Sequence, residues 1–421
     1  MSELNKSYYQ SLSTLIGSDP MLKKALETFE QYGIPDKKQE DYKYTNMQSF
    51  LPTALKIASP KEANANFKQQ LESLGALPSP YKLVLGNGAF LKELSHLPEF
   101  LSVQEKEEVN QNSCTLDSFS AINMIGLRKS ITVKVERSQK VPLINIVHLQ
   151  TPVENETMIT RVSIQAQELS QSAFLEIFHA PGEEKKSFSN SLTTIELAKG
   201  SHLTHVKAPI TGDAHGHVGK VTANLERDAH LTSLTFSVTG RLNRNNIEVF
   251  CNGEGSHASV NGLYTGRSKQ HHDSFCHVHH KAAHTTSTQL FKGILDDESR
   301  GVFTGKIIVH RDAQQVDSSQ LNKTLLLSQK AHVDTRPQIE VYADDVKCGH
   351  GATVGQINEE EVFYLESRGI PRQKAQKILC HAFTQEVIDT CEDKEVRAWL
   401  SSQLFDSFEK YALEKLDQQG K

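Results

Sequence analysis

Slid along itself, the chain shows a recurrence: Ala173-Phe174-Leu175, Ser201-His202-Leu203, Ala229-His230-Leu231, Ser256-His257-Ala258 and Ala283-His284-Thr285, whose centres step by 28, 28, 27 and 27 residues. His310 and His332 continue the column at looser spacing. A fixed period in this range, with small, polar and apolar positions in register, marks a solenoid in which each coil stacks on the one before. The segments between are short and β-rich, among them Ile131 to Val135, Leu143 to Val147, Phe174 to Phe178, Leu231 to Val238 and Ile247 to Phe250. A sandwich or jelly roll would show hairpin turns roughly every ten residues and no repeating column. The fold expected is therefore mainly β, with a parallel β-helix at its core.

The flanks have a different texture. Leu22, Ala25, Leu26 and Phe29 form a helical stripe that Gly33-Ile34-Pro35 ends, and Tyr81 to Gly88 reads as a strand entering a turn at Asn87-Gly88. After Gly355 the pattern is helical. Glu359 to Arg368 is followed by Gly369 at a C-cap position and by Pro371 at a helix start. Ala375, Ile378, Leu379, Ala382, Phe383 and Val387 then make an apolar stripe, and Val396, Leu400, Leu404, Phe405, Phe408, Leu413 and Leu416 carry the helical tail onward. The division expected is an N-terminal mixed α/β cap over 1–115, a β-helix over 116–350 and a C-terminal helical, partner-binding domain over 351–421. Part of that helical region is expected to cover the exposed end of the β-helix.

At the junction of β-helix and helices lies Tyr342-Ala343-Asp344-Asp345-Val346-Lys347-Cys348-Gly349-His350-Gly351-Ala352-Thr353-Val354-Gly355-Gln356. On a strand, Cys348 and His350 share a face. Thiolate and imidazole suit iron, iron–sulfur clusters or zinc. Two ligands leave a tetrahedral site incomplete, so other ligands must come from elsewhere in the fold or from another chain. The pair also reads as a nucleophile with its base, although no orienting carboxylate or oxyanion hole is announced, and Cys348 alone reads as a structural thiol. Lys347 next to it would favour the thiolate.

Other candidates weigh less. The histidine column follows from rung packing alone. The run His271-His272-Asp273-Ser274-Phe275-Cys276-His277-Val278-His279-His280 is dense in ligand types, but strand alternation places His277 and His279 opposite Cys276, Val278 and His280. Cys114, Cys251, Cys276, Cys380 and Cys391 lack partners in sequence and read as free thiols of a reducing compartment.

With 421 residues there is room for a large core, and a net charge of −5 with dispersed Lys and Arg gives no footprint for nucleic acid. No apolar run spans a bilayer, the N-terminus lacks signal-peptide character, and a cytoplasmic location is expected. Glycine-rich phosphate loops are absent, which argues against ATP hydrolysis by this chain.

The junction motif, with Thr335-Arg336-Pro337-Gln338-Ile339-Glu340-Val341 and Phe363-Tyr364-Leu365-Glu366-Ser367-Arg368-Gly369-Ile370, closely resembles the SufB/SufD family of iron–sulfur cluster assembly scaffolds. The likeness extends through Lys292 to Leu295, Gly301 to Ile307 and Asn322 to Ser328, and echoes in Gly33-Ile34-Pro35 and Glu40-Asp41-Tyr42-Lys43-Tyr44-Thr45, where the family usually has Trp at the place of Tyr42. Length and the lack of a clustered N-terminal cysteine motif favour the SufD branch.

The resemblance implies a right-handed parallel β-helix and a non-catalytic scaffold subunit of a SufBCD complex. It implies a SufB partner at the β-helix end and the SufC ATPase on the C-terminal helices. It further implies that Cys348 and His350 ligate a transient iron or iron–sulfur cluster shared with SufB, none being held stably by the isolated chain, and that the subunit supports iron acquisition. A homodimer of the isolated chain stays open.

Two readings from other classes compete: a metal-dependent hydrolase or lyase centred on His271 to His280, and a sugar-binding β-helix. The second needs aromatic platforms, and the single Trp, Trp399, lies in the helical tail.

Overall fold

The computed structural model describes residues 2–59, 65–106, 117–151, 153–182 and 185–419, with side chains described as far as Phe408. From Ser130–Val135 to Val346–Gly355 successive strands alternate between two ten-stranded sheets, and each pairs in parallel with the strand one coil away. This is a parallel β-solenoid. Sheet A ends on His332–Val341 and sheet B on Val346–Gly355.

The register explains the histidine column and corrects part of it. His202, His230 and His257 stand opposite one another on adjacent strands of sheet B, and the next residue in that row is Thr286. His284 lies two residues earlier, at a corner with φ 58°. His332 opens a strand of sheet A beside Arg300, and His310 follows the strand Arg300–Val309. Phe174 sits three residues further along its strand, opposite His205, while Gln171 faces His202. Corner length varies from coil to coil, so a constant spacing follows the row only where the corners match. Outward imidazoles of His202 and His230 stack with centroids 4.4 Å apart, the contact that rung packing provides.

Inside the solenoid, Ile131, Val133, Val162, Ile164, Ile195, Val221, Val249 and Val278 form an aliphatic column. Its start is plugged. Lys82–Gly86 and Ala89–Phe90 add a hairpin to sheet B, turning at Asn87-Gly88 with positive φ as the sequence suggested, and Ser102–Lys106 pairs antiparallel with the first strand of sheet A.

Helices α1 (Glu3–Ser13), α2 (Pro20–Tyr32), α3 (Ala65–Ser73) and α4 (Ser118–Gly126) belong to this end of the chain. Tyr8, Leu12, Phe29 and Phe119 of α1, α2 and α4 pack with Ile159, Phe188, Val218 and Leu242 of sheet A. Gly33 (φ 59°) ends α2 as expected. The expected boundary at 115/116 lies outside the described residues, as does Cys114.

The C-terminal helices α5 (Glu359–Ser367), α6 (Arg372–Ile388) and α7 (Lys394–Gln419) do not cover the last coil. Val387, Ile388, Trp399, Leu400 and Leu404 pack instead with Leu234, Phe236, Val238 and Leu263 on the outer face of sheet B. That face offers a broad apolar surface, and burying it gains roughly 1.5–3 kcal/mol per large side chain. Among the described residues none covers the last coil, contrary to the expectation of a helical lid.

Candidate functional site

The strand Val346–Gly355 is rich in glycine and has little intrinsic β preference. Its ladder to Val316–Leu326 holds it extended. Cys348 pairs with Ser318 and His350 with Gln320, both buried inside the solenoid, so Cys348 and His350 share the inward-facing side as the alternation implied. Among the described residues no further coil lies above them. Cys348 is therefore half-buried, packed near Ile339 and Val346, and His350 is exposed.

Burial, and next the Asp317 carboxylate, push the Cys348 thiol above its ordinary range. Lys347 faces the other side of the strand, and the net shift of the thiol runs opposite to the one expected of it.

The rung beneath the pair is polar. Ser318 Oγ lies 2.6 Å from Ser287 Oγ, which lies 2.9 Å from His280 Nε2, and His280 Nδ1 is 2.7 Å from Thr285 Oγ1. Gln320 Nε2 donates to Gln289 Oε1 at 2.7 Å. Across the interior, a Cβ on Gly305 would fall 2.1 Å from Gln320 Nε2. Gly305 thus faces Gln320, and one coil on, Pro337 faces His350.

This arrangement supplies a thiol and an imidazole at an open mouth, with hydroxyl and amide groups under them. It can hold one side of a metal or cluster. Among the described residues no group of three or more His, Cys, Asp or Glu side chains is arranged to hold a metal ion.

The run His271–His280 is divided as its alternation implied. Cys276, Val278 and His280 point inward; His277 and His279 point outward with ring centroids 6.3 Å apart. His271 and Asp273 are taken up by Thr45, whose Oγ1 lies 2.8 Å from His271 Nε2 and donates to Asp273. Burial pushes His271, His277 and His280 down to about 4. Among the described residues these imidazoles do not converge on one point. Cys251, Cys276, Cys380 and Cys391 are buried, and burial pushes Cys251 and Cys380 up to about 12 and Cys391 to about 11. Among the described cysteines Cys348 is the accessible one.

Sequence reasoning missed an ionic knot deep in the solenoid. Glu176, fully buried, accepts from Thr193 Oγ1, and its two oxygens lie 2.9 Å from His148 Nε2 and 3.0 Å from His205 Nε2. Burial opposes its charge, yet the hydrogen bonds from both imidazoles prevail and hold the carboxyl well below its ordinary range. Lys207 lies on the next coil, opposite Glu176, and donates to Ser191 at 2.8 Å; burial pushes it down to about 8. The signal was present: His148, Glu176 and His205 follow one another at 28 and 29 residues, close to the coil period.

Comparison with known proteins fits this architecture. The family model described as SUF system FeS cluster assembly, SufBD core domain, matches residues 148–383, and that of the SufBD protein N-terminal region matches residues 8–94. The iron–sulfur cluster assembly protein SufD of Escherichia coli is 30% identical over 90% of this chain and 90% of its own. An iron–sulfur cluster assembly SufBD family protein of Synechocystis is 25% identical, over 85% of this chain and 83% of its own. Protein ABCI7, chloroplastic, of Arabidopsis thaliana is 25% identical over 94% and 88%. A chain that carries both matched regions on one β-solenoid, with likeness to SufD along nearly its whole length, belongs to the SufBD family of iron–sulfur cluster assembly proteins.

Proposed function

We propose that the chain is a SufD-type scaffold subunit that pairs through its open coil with a SufB-type solenoid and there holds one side of a nascent iron–sulfur cluster. The observation that carries this reading is the uncovered last rung, where Cys348 and His350 face inward with no coil above them. Thiolate and imidazole each donate one lone pair to iron, and a sister chain seated on the rung supplies the rest and excludes water. A SufC-type ATPase docks on α5 and α6, where Phe363, Tyr364 and Ile378 are 71, 57 and 40% exposed. Its ATP-driven rearrangement opens or reshapes the seam. The chain itself carries no catalytic step in this reading.

The test is purification of the complex from its native host, with iron and sulfide analysis of wild type and His350→Ala. Intact complex with reduced cluster supports the reading; wild-type cluster levels in the variant refute the ligand role. A chain truncated after Asn358 that still recovers the ATPase would place the docking site elsewhere.

A further inference from the structure

One inward row of sheet B runs Val260, Gln289, Gln320, His350 on successive strands. Val260 can offer no hydrogen bond, so the polar part of the row begins at Gln289. Gln289 and Gln320 are each only 2% exposed, and Gln320 Nε2 donates to Gln289 Oε1 at 2.7 Å. The amide of Gln320 thus spends its nitrogen on the coil beneath. Its oxygen has no partner. A buried acceptor without a donor is costly, and this one stands one strand spacing, about 4.8 Å, below the row position of His350. Gly305 keeps the space it occupies, because a Cβ there would fall 2.1 Å from Gln320 Nε2.

The neighbouring rows differ. Beneath Cys348, Ser318 bonds to Ser287 and Ser287 to His280, so that row is closed. Asn322 Oδ1 is unpartnered like Gln320 Oε1, but it stands opposite Ala352, whose side chain has nothing to donate. His350 is the last-strand residue with an N–H to give. Its ring is exposed, and beside it a Cβ on Gly349 would meet nothing within 4 Å, so the imidazole has room to turn inward.

A neutral imidazole carries one N–H and one lone pair, and a fixed acceptor for the N–H decides which nitrogen keeps the lone pair. Resting on the ligand reading above, we infer that Gln320 is the positioning residue of His350: its Oε1 accepts the imidazole N–H and leaves the other ring nitrogen free for ferrous iron at the mouth. Gln289 orders the amide that does this, and Gly305 makes room for it.

The experiment begins with the full chain labelled with 15N in histidine, His350→Ala identifying the signals of that ring. Long-range 1H–15N correlation at pH 8 should show a single His350 tautomer in wild type, a mixture in Gln320→Met, and a single tautomer again in Gln320→Glu, which keeps an acceptor. Two tautomers in wild type, or an unchanged single one in Q320M, overturn the assignment. So does a mixture produced by Asn322→Leu in place of Q320M. In the complex recovered with its native partners, Q320M should hold iron about tenfold more weakly against ferrozine, and Q320E should restore it. Wild-type iron retention in His350→Ala sinks the ligand role and leaves the tautomer result standing.

Discussion

The guanidinium of Arg244 lies 3.9 Å from the centre of the Tyr42 ring, joining an N-terminal turn to the outer face of sheet A. Arg244 also pairs with Asp273 and donates to the carbonyl of Asp41 at 3.0 Å, and Thr45 donates to Asp273. The segment Glu40 to Thr45 is thus strapped across the solenoid, and Glu40 reaches Arg336 on the last coil. The Tyr42 ring is the face on which the arginine rests.

Arg244→Ala leaves Asp273 buried and unpaired, which costs about 3–5 kcal/mol. Lysine cannot reproduce the stacked, forked contacts, so Arg244→Lys recovers less than half of the loss. Denaturant midpoints measure both, and limited proteolysis near Lys37 and Lys38 reports release of the strap. Equal stability of all three proteins would remove its structural role.

Glu176→Ala strands His148 and His205 in the solenoid interior and destabilises by about 3–5 kcal/mol. Folding lowers the Glu176 pKa. Its stabilisation is therefore fully present above the unfolded carboxyl value of about 4.3 and declines as pH falls below that. Urea titrations between pH 6 and pH 3 should show a steeper loss in wild type than in Glu176→Gln.

Lys207 also has a lowered pKa, but there the shift marks the cost of holding a buried charge, and its window is alkaline. Burial brings its folded pKa to about 8, below an unfolded value of about 10.4. Between these values the unfolded chain binds the extra proton, so stability rises with pH across that window. Lys207→Met should flatten that rise, and a rise that survives in the variant assigns it to another group.

His230→Ala should change stability by no more than about 0.5 kcal/mol, because the imidazole lies on the outer face and its stacking partner His202 is exposed. Cluster content should equal wild type. His350→Ala should instead lower cluster content on the order of tenfold at unchanged stability. Iron and sulfide analysis of the two variants together separates a rung histidine from a ligand.

The coil period, the helical tail and the shared face of Cys348 and His350 were legible because each depends on local spacing. Rung neighbours were legible only in part. His202, His230 and His257 stepped with the period, whereas His284 falls two residues short of the row at a corner, and His310 and His332 belong with sheet A. Lys347 misled the reading of the thiol: burial first, and then the Asp317 carboxylate on the adjoining strand, raise the Cys348 pKa, which its neighbour in sequence could not announce.

By itself the sequence determined a stack of coils ending in a thiol and an imidazole on one face, since a repeating pattern of side chains dictates alternation and stacking without knowledge of what lies across the interior. Only the tertiary structure decided that the final rung is bare, that Pro337 stands opposite His350 and that Glu176 is knotted to two histidines. Those relations join residues far apart along the chain. The number of residues at each corner sets which of them meet, and the broad apolar face of sheet B drew the C-terminal helices to its side and away from its end.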